Sequence, residues 1–385
     1  MSSIPKSVAW GVPAVVATAV AAGLAVVPVV AGASPALPSR SAAELLRDVS
    51  AAKDVPFSGR VVQTSRLGLP SVPGLDALAS KAGSTDTLAL LTGSHNGQIW
   101  YAGKDRLRLS ATVGSSETDL VRNGRDVWVW ESSDRTVQHA VLPADSDPAL
   151  ASPAPTTLAL TPQELADRAL AAVTPSTSVT VDGTAKVAGR DAYELVLRPK
   201  ASGSLVREVR LALDSENYTP LRAQVFSTKS AEAALEVRFG SITFAEPAAS
   251  VFHFTMPAGG RLEDHGTVPG RAVPEAQREA SKATGELRRA GDHPVVTGSD
   301  WTTVVELPKG SAPDLQLPTG AASTAGKGSA ASTALGNISL GKPVSGPWGS
   351  GTLLETNLVS ALVLSDGRVL VGPVTPEVLE QRAAR

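Results

Sequence analysis

The sequence predicts a mainly β chain (α+β by class), in which a wide antiparallel sheet curls around two short helices. Three observations point there. A dozen short runs alternate apolar and polar residues or are rich in Val, Leu, Thr and aromatics. The links between them are brief and carry Gly, Asp, Asn or Ser, as hairpins require. Before residue 270, two stretches after the N-terminal apolar run carry a helical apolar stripe behind an N-cap signal.

The elements follow in chain order. Residues 7–33 are uncharged behind Lys6 and end in Ala31-Gly32-Ala33, an A-x-A cleavage pattern. This N-terminal hydrophobic helix is expected to be a signal peptide or a transmembrane anchor spanning 8–30. Either way the rest is exported, to be secreted or held at the cytoplasmic membrane. In "SRSAAELLRDVSAAK", Ser41 and Glu44 form an S-x-x-E capping box, and Ala43, Leu45, Leu46, Val49 and Ala52 make the stripe. In "TPQELADRALAAV", Thr161 is the N-cap and Pro162 the first helical residue, with a stripe of Leu165, Ala166, Ala169, Leu170 and Val173.

Strands are expected at 57–67, 97–101, 106–113, 117–122, 126–132 and 136–142, then at 178–189, 191–199, 204–214, 220–227, 235–244 and 251–257. Asn123-Gly124 opens a hairpin into "DVWVWES", and "AGRDAY" (188–193) echoes "NGRDVW". The later strands have one apolar and one charged side: Tyr193, Leu195 and Leu197 oppose Glu194 and Arg198, and Leu211 and Leu213 oppose Arg210 and Asp214. About eleven strands at ~4.8 Å make a sheet ~50 Å wide. Two helices of ~18 Å cannot cover such a face while it stays flat. The sheet must curl, and any uncovered remainder is a hollow or an exposed patch.

The insert 68–96 carries Leu75, Leu78, Leu88 and Leu91 and reads as a lid over the hollow or as a plain loop. Beyond about 265 the composition shifts. A polar helix is expected at 274–290, a strand at 300–308, a flexible Gly/Ser/Ala/Pro-rich linker at 309–347, a hairpin turning at Asp366-Gly367, and a capped terminal helix. The division is therefore 1–33, 34–265 and a small α+β module at 266–385.

Of the 385 residues, 35 are basic and 37 acidic, which gives no field to recruit nucleic acid. Cysteine is absent, which excludes disulfides, thiolate catalysis and cysteine-bound metal. The chain lacks G-x-S-x-G, P-loop, H-E-x-x-H and Rossmann patterns, so no catalytic residue and no cofactor is assigned. Ser50-Ala-Ala-Lys53 fits S-x-x-K but has no companion motif, and reads as a solvated helix end. His265 beside Glu263 and Asp264 is the nearest thing to a metal site and falls in an expected linker. Arg106 and Arg108 alternate with Leu107 and Leu109, which makes them solvent-facing, or else contacts for a lipid head group.

The strand series resembles the LolA-like superfamily. "GQIWYAGKDRLRLS" with "LVRNGRDVWVWESSDRTVQHAVL" is similar to its paired strand motifs. "DAYELVLRPKASGSLVREVRLALDSENYTPLRAQVF" resembles its central hairpin, and "SITFAEPAASVFHFTMPAGGRLED" its closing F-x-F-x-x-P-x-G stretch. The match covers about 40–265. It implies an open antiparallel half-barrel of about eleven strands, plugged by helices and holding a lipid or lipoprotein acyl chain. The implied function is to carry or present that chain outside the cytoplasmic membrane, as a binding protein rather than an enzyme. Trp100, Leu107, Leu109, Trp128, Trp130, Tyr193, Leu195 and Leu211 are the expected cavity wall. Where carriers place a lid-latching arginine, this chain reads Ala102-Gly103-Lys104. The alternative is a MucB/RseB-like envelope-stress sensor regulating an anti-sigma factor, with 270–385 docking on a membrane protein.

Overall fold

The structure, a computed structural model, describes residues 35–68, 92–113, 116–143, 161–171, 175–267, 294–307, 309 and 341–384. The expected apolar span at 8–30, the lid leucines, the helix at 274–290 and most of the 309–347 linker lie outside the described residues. Among the described residues no helix is long and apolar enough to cross a membrane.

Helix α1 (Ala42–Ala51) starts where its capping box predicts. The Ser41 hydroxyl accepts from the Glu44 N–H at 3.2 Å, and the Glu44 carboxylate accepts from the Ser41 N–H at 2.7 Å. The Ser41 N–H, and the Ser41 hydroxyl donating to the same carboxylate at 2.8 Å, hold the Glu44 carboxyl below its usual range. Six strands follow: β1 (Phe57–Arg66), β2 (Thr92–Tyr101), β3 (Arg106–Val113), β4 (Ser116–Asn123), β5 (Asp126–Glu131) and β6 (Thr136–Val141). Helix α2 (Pro162–Ala171) then precedes β7 (Thr177–Val187), β8 (Arg190–Pro199), β9 (Val206–Asp214), β10 (Pro220–Ser227) and β11 (Ala233–Thr243).

With β12 (Arg261–Thr267), these strands build a 12-stranded sheet in the order β12-β6-β5-β4-β3-β2-β1-β11-β10-β9-β8-β7. The sheet does not close. Two meanders, β1–β6 and β7–β11, are joined through the antiparallel β1–β11 pair. All pairings are antiparallel except β12 with β6.

Both motif hairpins form, with different registers. Asn123 pairs with Asp126 around a loop at 124–125, in which Gly124 takes φ +63°. Val187 pairs with Arg190, so the other loop is Ala188 (φ 50°) and Gly189 (φ 81°). Two positive φ angles in a two-residue loop match the right-handed strand twist.

The expected strand at 251–257 is instead a 3-10 turn (Ala249–Phe252) followed by unpaired extended chain. This segment crosses the outer face of the sheet against β3 and β4 as a strap, and only afterwards does the chain join an edge as β12. The strap's own side chains explain the difference. Phe252 is 1% exposed against the sheet, so its segment packs face-on and does not pair edge-on.

On the inner face, Leu45 of α1 and Ala166 and Ala169 of α2 share one cluster with Leu195, Leu197, Leu211, Leu213, Val237 and Phe239. Helix α2 packs against β10 and β11, and α1 against β7. The outer face of β8–β11 is charged: Arg198 and Arg210 reach Glu208 at 2.8 and 2.7 Å, and Arg222 reaches Glu194 at 3.0 Å.

A 6-stranded antiparallel sheet follows, with β13 (Val295–Thr297), β14 (Val304–Leu307), β15 (Lys342–Gly346), β16 (Gly349–Glu355), β17 (Ser360–Leu364) and β18 (Val369–Gly372) in the order β13-β14-β18-β17-β16-β15. Helix α3 (Pro376–Ala383) packs on it, burying Leu379 beside Leu362 and Leu370. Hydrogen bonds tie this sheet to the first: Leu205 N–H to Pro373 O at 2.9 Å, Trp301 Nε1 to Thr177 Oγ1 at 2.8 Å, and Lys229 Nζ to Glu355 at 2.6 Å.

Candidate functional site

Between the two helices and β1–β4 lies a cavity of about 370 Å³, near the lower end of the ~300–1,000 Å³ typical of small-molecule pockets. Its apolar lining is set by strand parity. Ile99 pairs with Leu109, Leu109 with Leu120 and Tyr101 with Leu107, so these side chains share the inner face. Phe57 of β1 extends the row beside Tyr101, and Val49 and Val55 close it from the α1 side. The mouth is polar: Lys53, Asp54, Lys104, Gln163, Asp167 and Asn217.

Tyr101 bridges floor and mouth. Burial, followed by the charge and hydrogen bond of Asp54, raises its phenol from 10.0 to about 12. Tyr218, from the β9–β10 turn, donates to Asp48 of α1 at 3.1 Å and so ties the helix end to the sheet.

Of the candidate wall residues, Leu107 and Leu109 lie in the lining of this cavity. Tyr193, Leu195 and Leu211 stand on the same face within the main core cluster, but outside the cavity lining. The three tryptophans lie elsewhere. Trp100 aligns with Arg108, Arg108 with Val121, Val121 with Trp128, and Trp128 with His139, which puts this row on the outer face. Trp130, two residues from Trp128, shares that face.

The strap covers this row. Trp128 stacks on His139 at 3.8 Å and on Phe254 at 5.0 Å, while Trp130 sits against Gly260. Arg108 binds Asp119 through two bonds of 3.1 and 2.7 Å and donates to Val251 O at 3.1 Å. Arg106 pairs with Glu246 at 2.8 Å. Both arginines are thus clamps for the strap, neither free in solvent nor aimed at the hollow.

Alternation in β2 carried the signal that motif position obscured. If Trp100 faces out, Ile99 and Tyr101 must face in. Phe57 and Leu120 were legible in the same way, as partners in register with Tyr101 and Leu109. Val49 belongs to the apolar stripe of α1, whereas Gln163 and 217–220 come from separate parts of the chain and had no local signal.

Ser50 of the S-x-x-K match donates to Arg47 O at 2.8 Å, and no hydrogen bond joins it to Lys53. His265 lies in β12, and the described residues contain no group of three or more metal-ligating side chains. The neighbouring Asp264 instead approaches His139 at 3.3 Å, and Asp126 holds the other ring nitrogen at 2.9 Å.

The described residues thus form an open sheet packed against two helices, with an amphiphilic hollow between them. Solved structures similar to the chain include members of the LolA superfamily and MucB, the group its motifs resemble. MucB of Pseudomonas aeruginosa in complex with MucA is 14% identical, with a TM-score of 0.39, covering 89% of this chain and 96% of that one. A LolA superfamily protein from Nitrosomonas europaea is 12% identical, with a TM-score of 0.23, covering 56% and 99%. An uncharacterized conserved protein from Thermus thermophilus is 10% identical, with a TM-score of 0.32, covering 58% and 99%. No protein-family model matches the chain. No curated protein matches it in sequence. The functional reading rests on the chain's own geometry.

Proposed function

We propose that this chain is an exported LolA-like binding protein that takes an acyl chain, of a lipid or a lipoprotein, into the hollow between α1, α2 and β1–β4. It carries or presents that chain outside the cytoplasmic membrane. The observation behind the reading is the cavity itself, with a floor of Phe57, Ile99, Leu107, Leu109 and Leu120 and a polar mouth. Burying a methylene there contributes ~0.8 kcal/mol, so about ten buried methylenes are needed to match the ~8 kcal/mol of micromolar binding, and more once the cost of association is offset. The leader over 1–33 directs export, and the half-barrel ends near 265. The insert holding Leu75, Leu78, Leu88 and Leu91 is the gate.

Native mass spectrometry of protein from its own host, with extraction of bound lipid, tests this. Co-purified acyl lipid or saturable uptake of a fluorescent fatty-acyl probe is expected. A clean apo protein that takes up no probe sinks the reading.

A second reading, a MucB-like sensor, draws on the 6-stranded sheet and its exposed β13, where Val295 and Val296 are 49% and 64% exposed. Loss of a membrane partner on deleting 270–385, with probe uptake intact, would favour it.

A further inference from the structure

We propose that the hollow selects a single-chain amphiphile with an anionic headgroup, held at the mouth by Lys53 and Lys104. This rests on the acyl-chain reading above and adds to it the chemistry of the polar end. Lys53 follows α1 and Lys104 lies in the β2–β3 turn, so two distant parts of the chain bring their ammonium groups to one rim. The rim also holds two carboxylates, and both already have protein donors. Asp54 accepts from the Tyr101 phenol, and Asp167 accepts from Gln163 Nε2 at 2.9 Å. Lys53 and Lys104 make no hydrogen bond or ion pair among the described residues. Among the described residues the two ammonium groups therefore have donors to offer, while each carboxylate, still charged, already holds one neutral donor.

Chain direction follows from the same layout. The apolar floor takes the tail, and the headgroup stays at the mouth, where it meets the two ammonium groups. A volume of about 370 Å³ suits one chain better than several. A fatty-acid carboxylate and a lysophospholipid phosphate share the required chemistry.

The test is displacement of cis-parinaric acid from the full-length protein by palmitate, by 1-palmitoyl-lysophosphatidic acid and by neutral 1-palmitoylglycerol. The anions should bind about fivefold better than the neutral lipid, as expected for two partly solvated ion pairs. The preference should shrink as salt is raised. In the double variant Lys53→Gln/Lys104→Gln it should fall within about twofold of none. The anion that leads names the headgroup as carboxylate or phosphate. Equal binding of neutral and anionic lipids by the wild type, or a preference that survives in the double variant, overturns the proposal and leaves the acyl-chain reading standing. No uptake of any lipid overturns both.

Discussion

Replacing a leucine with phenylalanine should have opposite consequences at two positions on the same inner face. Leu109 lines the hollow and Leu211 is wholly buried in the closed part of the core. Overpacking a filled core costs ~1–3 kcal/mol, so Leu211→Phe should lose about 2 kcal/mol. At a urea dependence of ~2 kcal/mol/M, that is a midpoint shift of about 1 M. In Leu109→Phe the added ring atoms enter existing space, so the loss should stay under about 1 kcal/mol. Acyl binding should respond the other way. A ring occupying the room of two methylenes removes ~1.6 kcal/mol, or about 15-fold in affinity, whereas Leu211→Phe should bind normally if it folds. Urea unfolding and probe titration on both variants measure this. A Leu109→Phe protein as destabilised as Leu211→Phe would refute the hollow. A stable one with undiminished uptake would show that the ligand lies elsewhere.

Three further outcomes are expected. Asp214 is fully buried, bound to Arg190 at 2.6 and 2.9 Å, and accepts the N–H groups of Glu216 and Asn217 at 3.0 and 3.2 Å. Asp214→Ala should therefore cost about 3 kcal/mol in denaturant unfolding, and a loss below about 1 kcal/mol would contradict this network. Phe252→Ala should loosen the strap, costing ~3 kcal/mol if the core refills poorly. Tryptophan emission should shift to the red as Trp128 loses the cover of Phe254, and unchanged emission would argue against the strap. Tyr101 should titrate near 12 in an alkaline absorbance scan. Its neutral phenol is favoured by folding, so the stability it contributes is complete below 10.0 and is lost as pH rises toward about 12. Asp54→Asn should bring the titration down, and no change would remove Asp54 as a cause.

Much of the sheet was legible because strand alternation and turn chemistry are local. β3 and β10 have the bounds expected, and the capping box located α1. The strap was not legible. "VFHFTMP" alternates like a strand, and whether such a segment pairs at an edge or lies across a face depends on a surface built from distant strands. β12 was missed for the same reason: "RLEDHGT" has Leu262 as its single large apolar side chain and no alternation, and its place beside β6 is marked by His139 and Asp264 meeting.

The site divides along the same line. That Trp128 and Trp130 share a face opposite Val127 and Val129 follows from local alternation alone, since side chains in a strand alternate. The same alternation sets Leu107 and Leu109 opposite Arg106 and Arg108. Which of those faces meets the helices is a property of the assembled sheet. That choice rests on the joint register of β2 through β6 and on the strap, which partly covers the tryptophan row from outside while α1 and α2 cover the other side. On β5 either face is apolar enough to be inside, so local pattern cannot rank them, and contacts between residues more than a hundred positions apart do.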